Sequence, residues 1–396
     1  MYSAHHLNFK EEIRVEPVAL LQSLIRIPSP NPPGDTREIA AFIASIMREA
    51  GCDVTTPAPD VKPEAVNVIA SIGSGDPVVM LHAHIDTVPI AETEAERWSV
   101  DPYGAVIKDN RIYGKGSIDD KAPLASMMVA MLQAAARMDN LKGKLVLVAA
   151  AEEEVGGRLG TRWLADSGHL PMCDFIVVGE QTHNKVAVAH KGVMRATIQT
   201  MGKSVHATNP DRGTNAITAM ARIILALENY HQELSRRVHP IVGVPTCNVG
   251  VIDGGSTANA VPDRCTIYLD RRMIPREQPE AVQQELRDVV ESVDLGDASA
   301  NIADFLFSSW FDSTTDTPLA QTFMQCVSDV LGDDPGPVGY LPGSDAKHLM
   351  DNVRGEMIIF GPGSYEVAHA FDEYVEIDDF NATTEILRRF IEEALH

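Results

Sequence analysis

The sequence predicts an α/β protein with a mostly parallel, buried sheet, interrupted by a second and smaller β-α-β-β-α-β unit. Three observations lead there. Apolar, β-rich runs alternate with helical segments through the first half of the chain. The pattern changes after "AVAHKG". At 396 residues the chain also exceeds what one hydrophobic core usually organises, so two domains are expected.

Taken in order, a helix from about Val15 to Leu24 ends at "IPSPNPPGDT", whose prolines forbid helix. Asp35 and Thr36 are placed to cap the next helix, "REIAAFIASIMREAG". Strand-like runs follow at "VNVIASI", "VVMLHAHID", "KLVLVAAA" and "FIVVGE", with the helical "APLASMMVAMLQAAARM" among them. Beyond "AVAHKG", "VMRATIQTMG" reads as a strand and "NAITAMARIILALENYHQEL" as an amphipathic helix. "PTCNVGVIDGG" and "DRCTIYLDRRMIP" form a strand pair, "PEAVQQELRDVVESV" a second helix and "SANIADFLF" a closing strand. That order is ferredoxin-like and self-sufficient. The expected organisation is therefore one domain from 1–190 and 307–396, with 191–306 inserted.

Composition narrows the function. With 44% hydrophobic and 22% charged residues the chain is an ordinary globular protein, and its formal charge of −23 argues against coating nucleic acid or an anionic membrane. A small-molecule substrate is expected. Cys52, Cys173, Cys247, Cys265 and Cys326 are scattered and odd in number, so neither a disulfide framework nor a thiolate zinc site is indicated. The start, "MYSAHHLNFKEEIRVEP", carries acidic residues where a signal peptide needs a basic and then an apolar run. No apolar stretch reaches transmembrane length, and a cytoplasmic protein is expected.

Chemistry concentrates at predicted strand ends. In "VVMLHAHIDTVP", His82, His84 and Asp86 project from one side at the carboxyl end of a strand, the edge where open α/β sheets place their ligands. A carboxylate two residues beyond an imidazole can fix the orientation of a metal-bound ring. One segment does not make a metal site. Others converge with it: Asp119 and Asp120 in "IYGKGSIDDKAPLA", Glu152, Glu153 and Glu154 in "AAAEEEVGG", Glu180 in "IVVGEQT" and His369 in "FGPGSYEVAHAFDEYV".

The set "HIDTVP", "GKGSIDDK", "EEEVGG", "GEQT" and "AHAFDE", around an inserted β-α-β-β-α-β unit, resembles the M20 family of dinuclear zinc amidohydrolases and metallopeptidases. Acetylornithine deacetylase, succinyl-diaminopimelate desuccinylase, aminoacylase-1 and the glutamate carboxypeptidases form that group. The resemblance implies a parallel-sheet metallopeptidase domain and an inserted lid and dimerisation domain. It implies His84 as a ligand of one metal, Asp119 as the bridge, Glu154 and Glu180 as terminal carboxylate ligands and His369 on the second metal. Asp86 is implied to orient His84, Glu153 to act as general base and Asp120 to shape the turn after Asp119. The "VGG" that follows sets the register of the triple glutamate, leaving Glu152 outside the ligand set.

Charge balance agrees. Two divalent ions bring four positive charges, against three from Asp119, Glu154 and Glu180 and a fourth from a bridging hydroxide. Oxygen and imidazole donors without thiolate suit Zn²⁺, with Mn²⁺ or Co²⁺ as substitutes. Glu153, not used as a ligand, is free to carry a proton from water to the leaving nitrogen.

The inserted unit adds candidates through the same resemblance. His206 in "GKSVHATNPDRGTNAI" matches a lid histidine that polarises the scissile carbonyl, often across a dimer interface. Asn259 in "STANAVPD" is a further substrate contact, and Arg272 in "LDRRMIP" suits a substrate carboxylate, which a guanidinium binds through two parallel hydrogen bonds. Arg271 faces the other way on a strand. In "LPGSDAKH", Gly343 and Ser344 resemble a loop that offers backbone amides to substrate, although a tight turn explains them nearly as well. The insert's open sheet edge and helix face suit twofold pairing, so a homodimer with His206 acting in trans is expected.

No phosphate-binding loop, dinucleotide fingerprint, Gly-x-Ser-x-Gly or nucleophilic cysteine competes with this reading. The expected activity is hydrolysis of an amide bond in a small carboxylate-bearing substrate, foremost deacylation of an N-acyl amino acid. A dipeptidase, carboxypeptidase, or specialised amidase or aminohydrolase of the same family is the alternative. A catalytically inactive metal-binding scaffold is the alternative from another class, and retention of Glu153 argues against it.

Overall fold

The computed structural model describes residues 16–137, 141–333 and 336–395. Residues 1–15 of the N-terminal segment read for a leader, among them Val15 at the expected start of the first helix, and Met138 at the expected end of a later one lie outside the described residues. The chain forms two compact units, Met1–Val188 with Ser313–His396, and Ala189–Asp312.

The first unit is built on parallel strands. Val78–His84, buried at every position, lies between Gly143–Ala150 and Cys173–Gly179 and runs parallel to both. Val353–Phe360 joins Cys173–Gly179, again parallel. Val68–Ser74 and Asp53–Thr55 extend the other edge in antiparallel fashion. The four parallel strands point their carboxyl ends the same way, so the segments after His84, Ala150, Gly179 and Phe360 leave from one edge of the sheet.

Helix Lys121–Ala135 is apolar on nearly all sides because it packs against helices Pro17–Ile25 and Ile377–Leu395 as well as the sheet. Phe323 of helix Pro318–Leu331 meets Phe175, Phe360 and Phe390 at ring-centroid distances of 6.0, 5.0 and 5.0 Å, all four rings fully buried. Such pairs each add roughly 0.5–1.5 kcal/mol beyond their buried area. A small antiparallel sheet of Val106–Lys108, Arg111–Tyr113 and Tyr374–Glu376 completes this unit.

The second unit has the element order read from the sequence: Gly192–Met201, helix Ala216–Leu234, Thr246–Gly254, Arg264–Met273, helix Pro279–Glu291 and Ser299–Ser308. Its sheet runs Thr246–Gly254, Arg264–Met273, Gly192–Met201, Ser299–Ser308, antiparallel throughout. Asn215 caps the first helix by accepting the Thr218 N–H at 3.0 Å. Ile198, Ile267 and Leu269 from the strands pack with Ile223, Leu227 and Leu286 from the helices. The unit closes at Asp312, beyond the expected 306, because Phe311 and Asp312 pair with His190 and Ala189.

All five cysteines are buried free thiols. Among the described residues no helix is long and apolar enough to cross a membrane.

Candidate active site

The strand Val78–His84 delivers His84 to the sheet edge, where the ring is held from both sides. Nδ1 donates to the backbone carbonyl of Asp86 at 2.9 Å and Nε2 lies 3.0 Å from Asp119 Oδ1. The Asp86 carboxylate stands farther off, 3.7 Å from Nδ1. It accepts instead from Asn31 Nδ2 at 2.9 Å and from the backbone N–H groups of Glu153 and Glu154 at 3.1 and 3.2 Å. Asp86 therefore orients His84 through its main chain and organises the glutamate turn through its side chain.

That turn separates the three glutamates. Glu152, with φ of +71°, directs its carboxylate to Lys62 at 2.5 Å and Asn31 at 3.0 Å. Glu153 lies 3.6 Å from the Lys347 amine, its side chain 15% exposed. Burial pushes its carboxyl up to about 7; Lys347 opposes the shift, and Asp345 and Glu154 add to it. Glu154 Oε1 accepts the Val88 N–H at 3.0 Å, while Oε2 lies 3.2 Å from His369 Nε2.

Asp119 sits between two imidazoles, Oδ1 toward His84 and Oδ2 at 3.0 Å from His369 Nε2. Burial opposes its charge, yet hydrogen bonds from His369 and His84 hold its carboxyl well below the usual range. The same pairing lifts His369 to about 10, through Asp119 first and Glu154 second. Asp120 accepts the His84 N–H at 3.1 Å, and burial together with the neighbouring Asp119 drives its pKa well up, against the pull of His84. Glu180 is held by the Tyr340 hydroxyl at 2.9 Å and Gln181 Nε2 at 3.2 Å. Burial, then the charges of Asp120, Asp119 and Glu153, raise it well above the ordinary value.

Ligand atoms of His84, Asp119 and Glu154 lie within 4.8 Å of one another, a candidate metal-binding group among the described residues. His369 touches two of its members; Glu180 stands outside that tight group. The donors are imidazoles and carboxylates, a set that fits a borderline divalent cation, and several crowded carboxylates are raised by burial and mutual repulsion, the environment in which added positive charge is stabilising.

His82, on the same face as His84, takes no part. Its Nε2 is 2.7 Å from the Thr161 hydroxyl, which donates to Asp345 at 2.6 Å. Ser344 is buried, its hydroxyl accepting the Ala346 N–H at 3.3 Å, so of the loop pair only Gly343 is exposed. Tyr340 and Lys347 were not singled out in the sequence; both flank or lie within "LPGSDAKH", and only the fold brings them to Glu180 and Glu153.

In the second unit, exposed His206 is hydrogen-bonded to Thr208 at 3.0 Å, and the adjacent Ala207 N–H donates to the Asn259 carbonyl at 3.0 Å. Strand alternation separates the two arginines. Arg271 is fully buried against Glu277 at 2.7 Å and Tyr230 at 3.1 Å, whereas the Arg272 side chain is 40% exposed and bonded to Asp270 at 2.8 Å.

Residues 80–393 match the profile of Peptidase family M20/M25/M40. Over 393 residues the chain is 26% identical to a Staphylococcus aureus (strain MRSA252) protein named "Probable succinyl-diaminopimelate desuccinylase", covering 92% of this chain and 93% of that protein. Over 359 residues it is 28% identical to the acetylornithine deacetylase of Aliivibrio fischeri (strain MJ11), covering 89% and 90%. Among solved structures, an M20 family metallo-carboxypeptidase from Sulfolobus solfataricus matches with a TM-score of 0.78 at 17% identity, covering 95% of this chain and 98% of that one. At that identity the likeness concerns the fold.

His82 makes stability depend on pH. Burial lowers its pKa from 6.5 to about 4, so the unfolded chain takes up the proton first. Its contribution is complete above about pH 6.5, is lost as pH falls toward 4, and totals roughly 3 kcal/mol. In urea unfolding of the metal-free protein at pH 7 and pH 5, His82→Gln is expected to lose less stability on acidification than the native chain.

Proposed function

Because the chain belongs to peptidase family M20/M25/M40, a family of metal-dependent hydrolases of amide bonds, we propose that it deacylates a small N-acyl amino acid bearing a free carboxylate. The observation that carries the reading is the convergence of His84, Asp119 and Glu154 within 4.8 Å, with Glu153 beside them and outside the group. The two curated relatives, which span nearly the whole chain, are named for removal of a succinyl and an acetyl group.

In this reading His84, Asp119, Glu154, Glu180 and His369 would hold two divalent ions, Zn²⁺ foremost. When bound, the ions lower the pKa of the attacking water to roughly 7 from 15.7 and polarise the scissile carbonyl. Glu153 takes the water proton on a carboxylate oxygen and gives it to the leaving nitrogen. The hydrogen bonds from the Glu153 and Glu154 N–H groups to Asp86 keep base and ligand in fixed relation. Arg272 pairs with the substrate carboxylate, His206 from a second copy of the chain polarises the carbonyl oxygen, and Asn259 and Gly343 supply polar contacts, while Ser344, buried and bonded to the Ala346 N–H, shapes the loop.

The direct test is a panel of N-acetyl and N-succinyl amino acids and dipeptides, assayed with Zn²⁺ and with a chelator. N-acyl substrates are expected to turn over fastest and only with metal. Faster cleavage of dipeptides would replace deacylase with peptidase, and no metal-dependent cleavage at all would support a scaffold.

Three comparisons separate the roles. Glu153→Gln is expected to keep its metal in elemental analysis while kcat falls about 10²- to 10⁴-fold, whereas Glu154→Ala loses metal; the reverse result would shift the glutamate register by one residue. Arg272→Ala is expected to impair substrates with a free carboxylate about 10- to 100-fold more than their matched esters. Equal losses on acid and ester would reject the clamp. Mixing Glu153→Ala and His206→Ala chains is expected to restore partial activity, since a mixed dimer holds one site with both native residues. Verified mixed dimers without activity would place His206 in its own chain's site.

A further inference from the structure

Glu373 lies four residues beyond His369, and the substrate reading assigns it nothing. Its side chain is fully buried. Oε1 accepts the backbone N–H groups of Ile118 at 3.1 Å and Asp119 at 3.4 Å, and Oε2 lies 3.2 Å from the amine of Lys115, which is 3% exposed. The Glu373 carbonyl accepts the Gly114 N–H at 2.9 Å, and the following strand Tyr374–Glu376 pairs with Arg111–Tyr113. One short segment thus holds Asp119 twice, by its carboxylate through His369 and by its backbone through Glu373.

We infer that Glu373 is a positioning residue of the metal centre: paired with Lys115, it fixes the Ile118–Asp119 backbone so that the Asp119 carboxylate stands where it can serve two ions. A plain core ion pair is the competing explanation. Magnitudes argue against it, because the desolvation of a buried pair cancels most of its Coulombic gain and an apolar pair of similar volume is often as stable. What apolar residues cannot supply is an acceptor for two N–H groups beside a ligand. Groups that orient ligands in this way typically change metal affinity about 10- to 100-fold when removed.

The inference rests on the metal reading of the site. Its test is titration of Co²⁺ into metal-free native protein, Glu373→Asp and the double variant Glu373→Met/Lys115→Met, followed by visible absorption, with thermal unfolding of each metal-free form. Glu373→Asp keeps a charge for Lys115 but withdraws the carboxylate from the two N–H groups; the double variant leaves no unpaired buried charge. Both are expected to unfold near the native temperature and to bind Co²⁺ about 10- to 100-fold more weakly, with altered band intensities at saturation. An ion pair serving stability alone predicts native-like Co²⁺ binding by Glu373→Asp, and binding within about twofold of native by either variant would overturn the inference while leaving the metal reading intact. Failure of the native protein to bind Co²⁺ would overturn both.

Discussion

The buried carboxylate of Asp86 ties together three segments that are distant in the chain. It takes a side-chain hydrogen bond from Asn31 in the proline-rich turn and two backbone hydrogen bonds from Glu153 and Glu154, while its own carbonyl holds His84. Hydrogen bonds to a charged group contribute roughly 1.5–3 kcal/mol each, and a buried carboxylate stripped of donors costs more than that. Asp86 therefore cannot move without its neighbours, and they cannot move without leaving it unsatisfied. The rest of the site inherits this geometry, since the ligand His84, the base Glu153 and the ligand Glu154 of the proposed mechanism all hang from one residue.

Around that anchor, the competition between desolvation and pairing decides which groups carry charge. Asp119 and Asp120 are neighbours in sequence and both buried, yet they diverge. Two imidazoles face Asp119 and outweigh burial, so its carboxyl is lowered; Asp120 has no side-chain donor among the described residues, and burial with the repulsion of Asp119 outweighs the His84 charge and backbone N–H, so its carboxyl is raised. Glu153 follows the same logic at a distance, burial raising it to about 7 while Lys347 at 3.6 Å restrains the rise. Environments that push the pKa values of adjacent groups apart are how a site assigns the tasks of holding charge and of carrying a proton.

As far as the end of the inserted unit, the long elements and the candidate site residues were legible in the sequence because both depend on local pattern, whereas helices Pro318–Leu331 and Ile377–Leu395 were not read. Apolar runs ending in His84, Ala150 and Gly179 announce parallel strands, and chemistry at their carboxyl ends follows from the topology. The strand Val353–Phe360 was not read, although "MIIF" is apolar, because polar "VRGE" begins it. The three-residue strands Val106–Lys108, Arg111–Tyr113 and Tyr374–Glu376 are too short to show a period, and they exist only because they pair with one another. Tyr340, Lys347, Lys115 and Glu373 escaped for a related reason: a tyrosine, two lysines and a glutamate are ordinary surface residues until tertiary structure buries them beside a carboxylate or a ligand turn. Asp86 shows the finer limit. Its spacing from His84 announces a link between them, but not that the backbone makes it and the side chain serves the glutamates.

Two non-glycine residues of the site adopt left-handed backbone, Glu152 with φ of +71° and His369 with φ of +61°. That conformation costs roughly 1–2 kcal/mol for an L-residue and persists only where contacts over-determine it. Both places supply such contacts. Lys62 and Asn31 hold the Glu152 carboxylate, which lets the chain reverse at once after the Gly143–Ala150 strand and bring Glu153 and Glu154 back under Asp86. Asp119 and Glu154 hold the His369 ring, so the loop after the Val353–Phe360 strand returns to the same pocket. Relaxing either residue to an extended conformation would swing its segment away from the strand edge. The strain is thus located where the chain must turn sharply to bring a functional side chain home; at Glu152 it is offset by Lys62 and Asn31, and at His369 by carboxylates that the proposed site already needs.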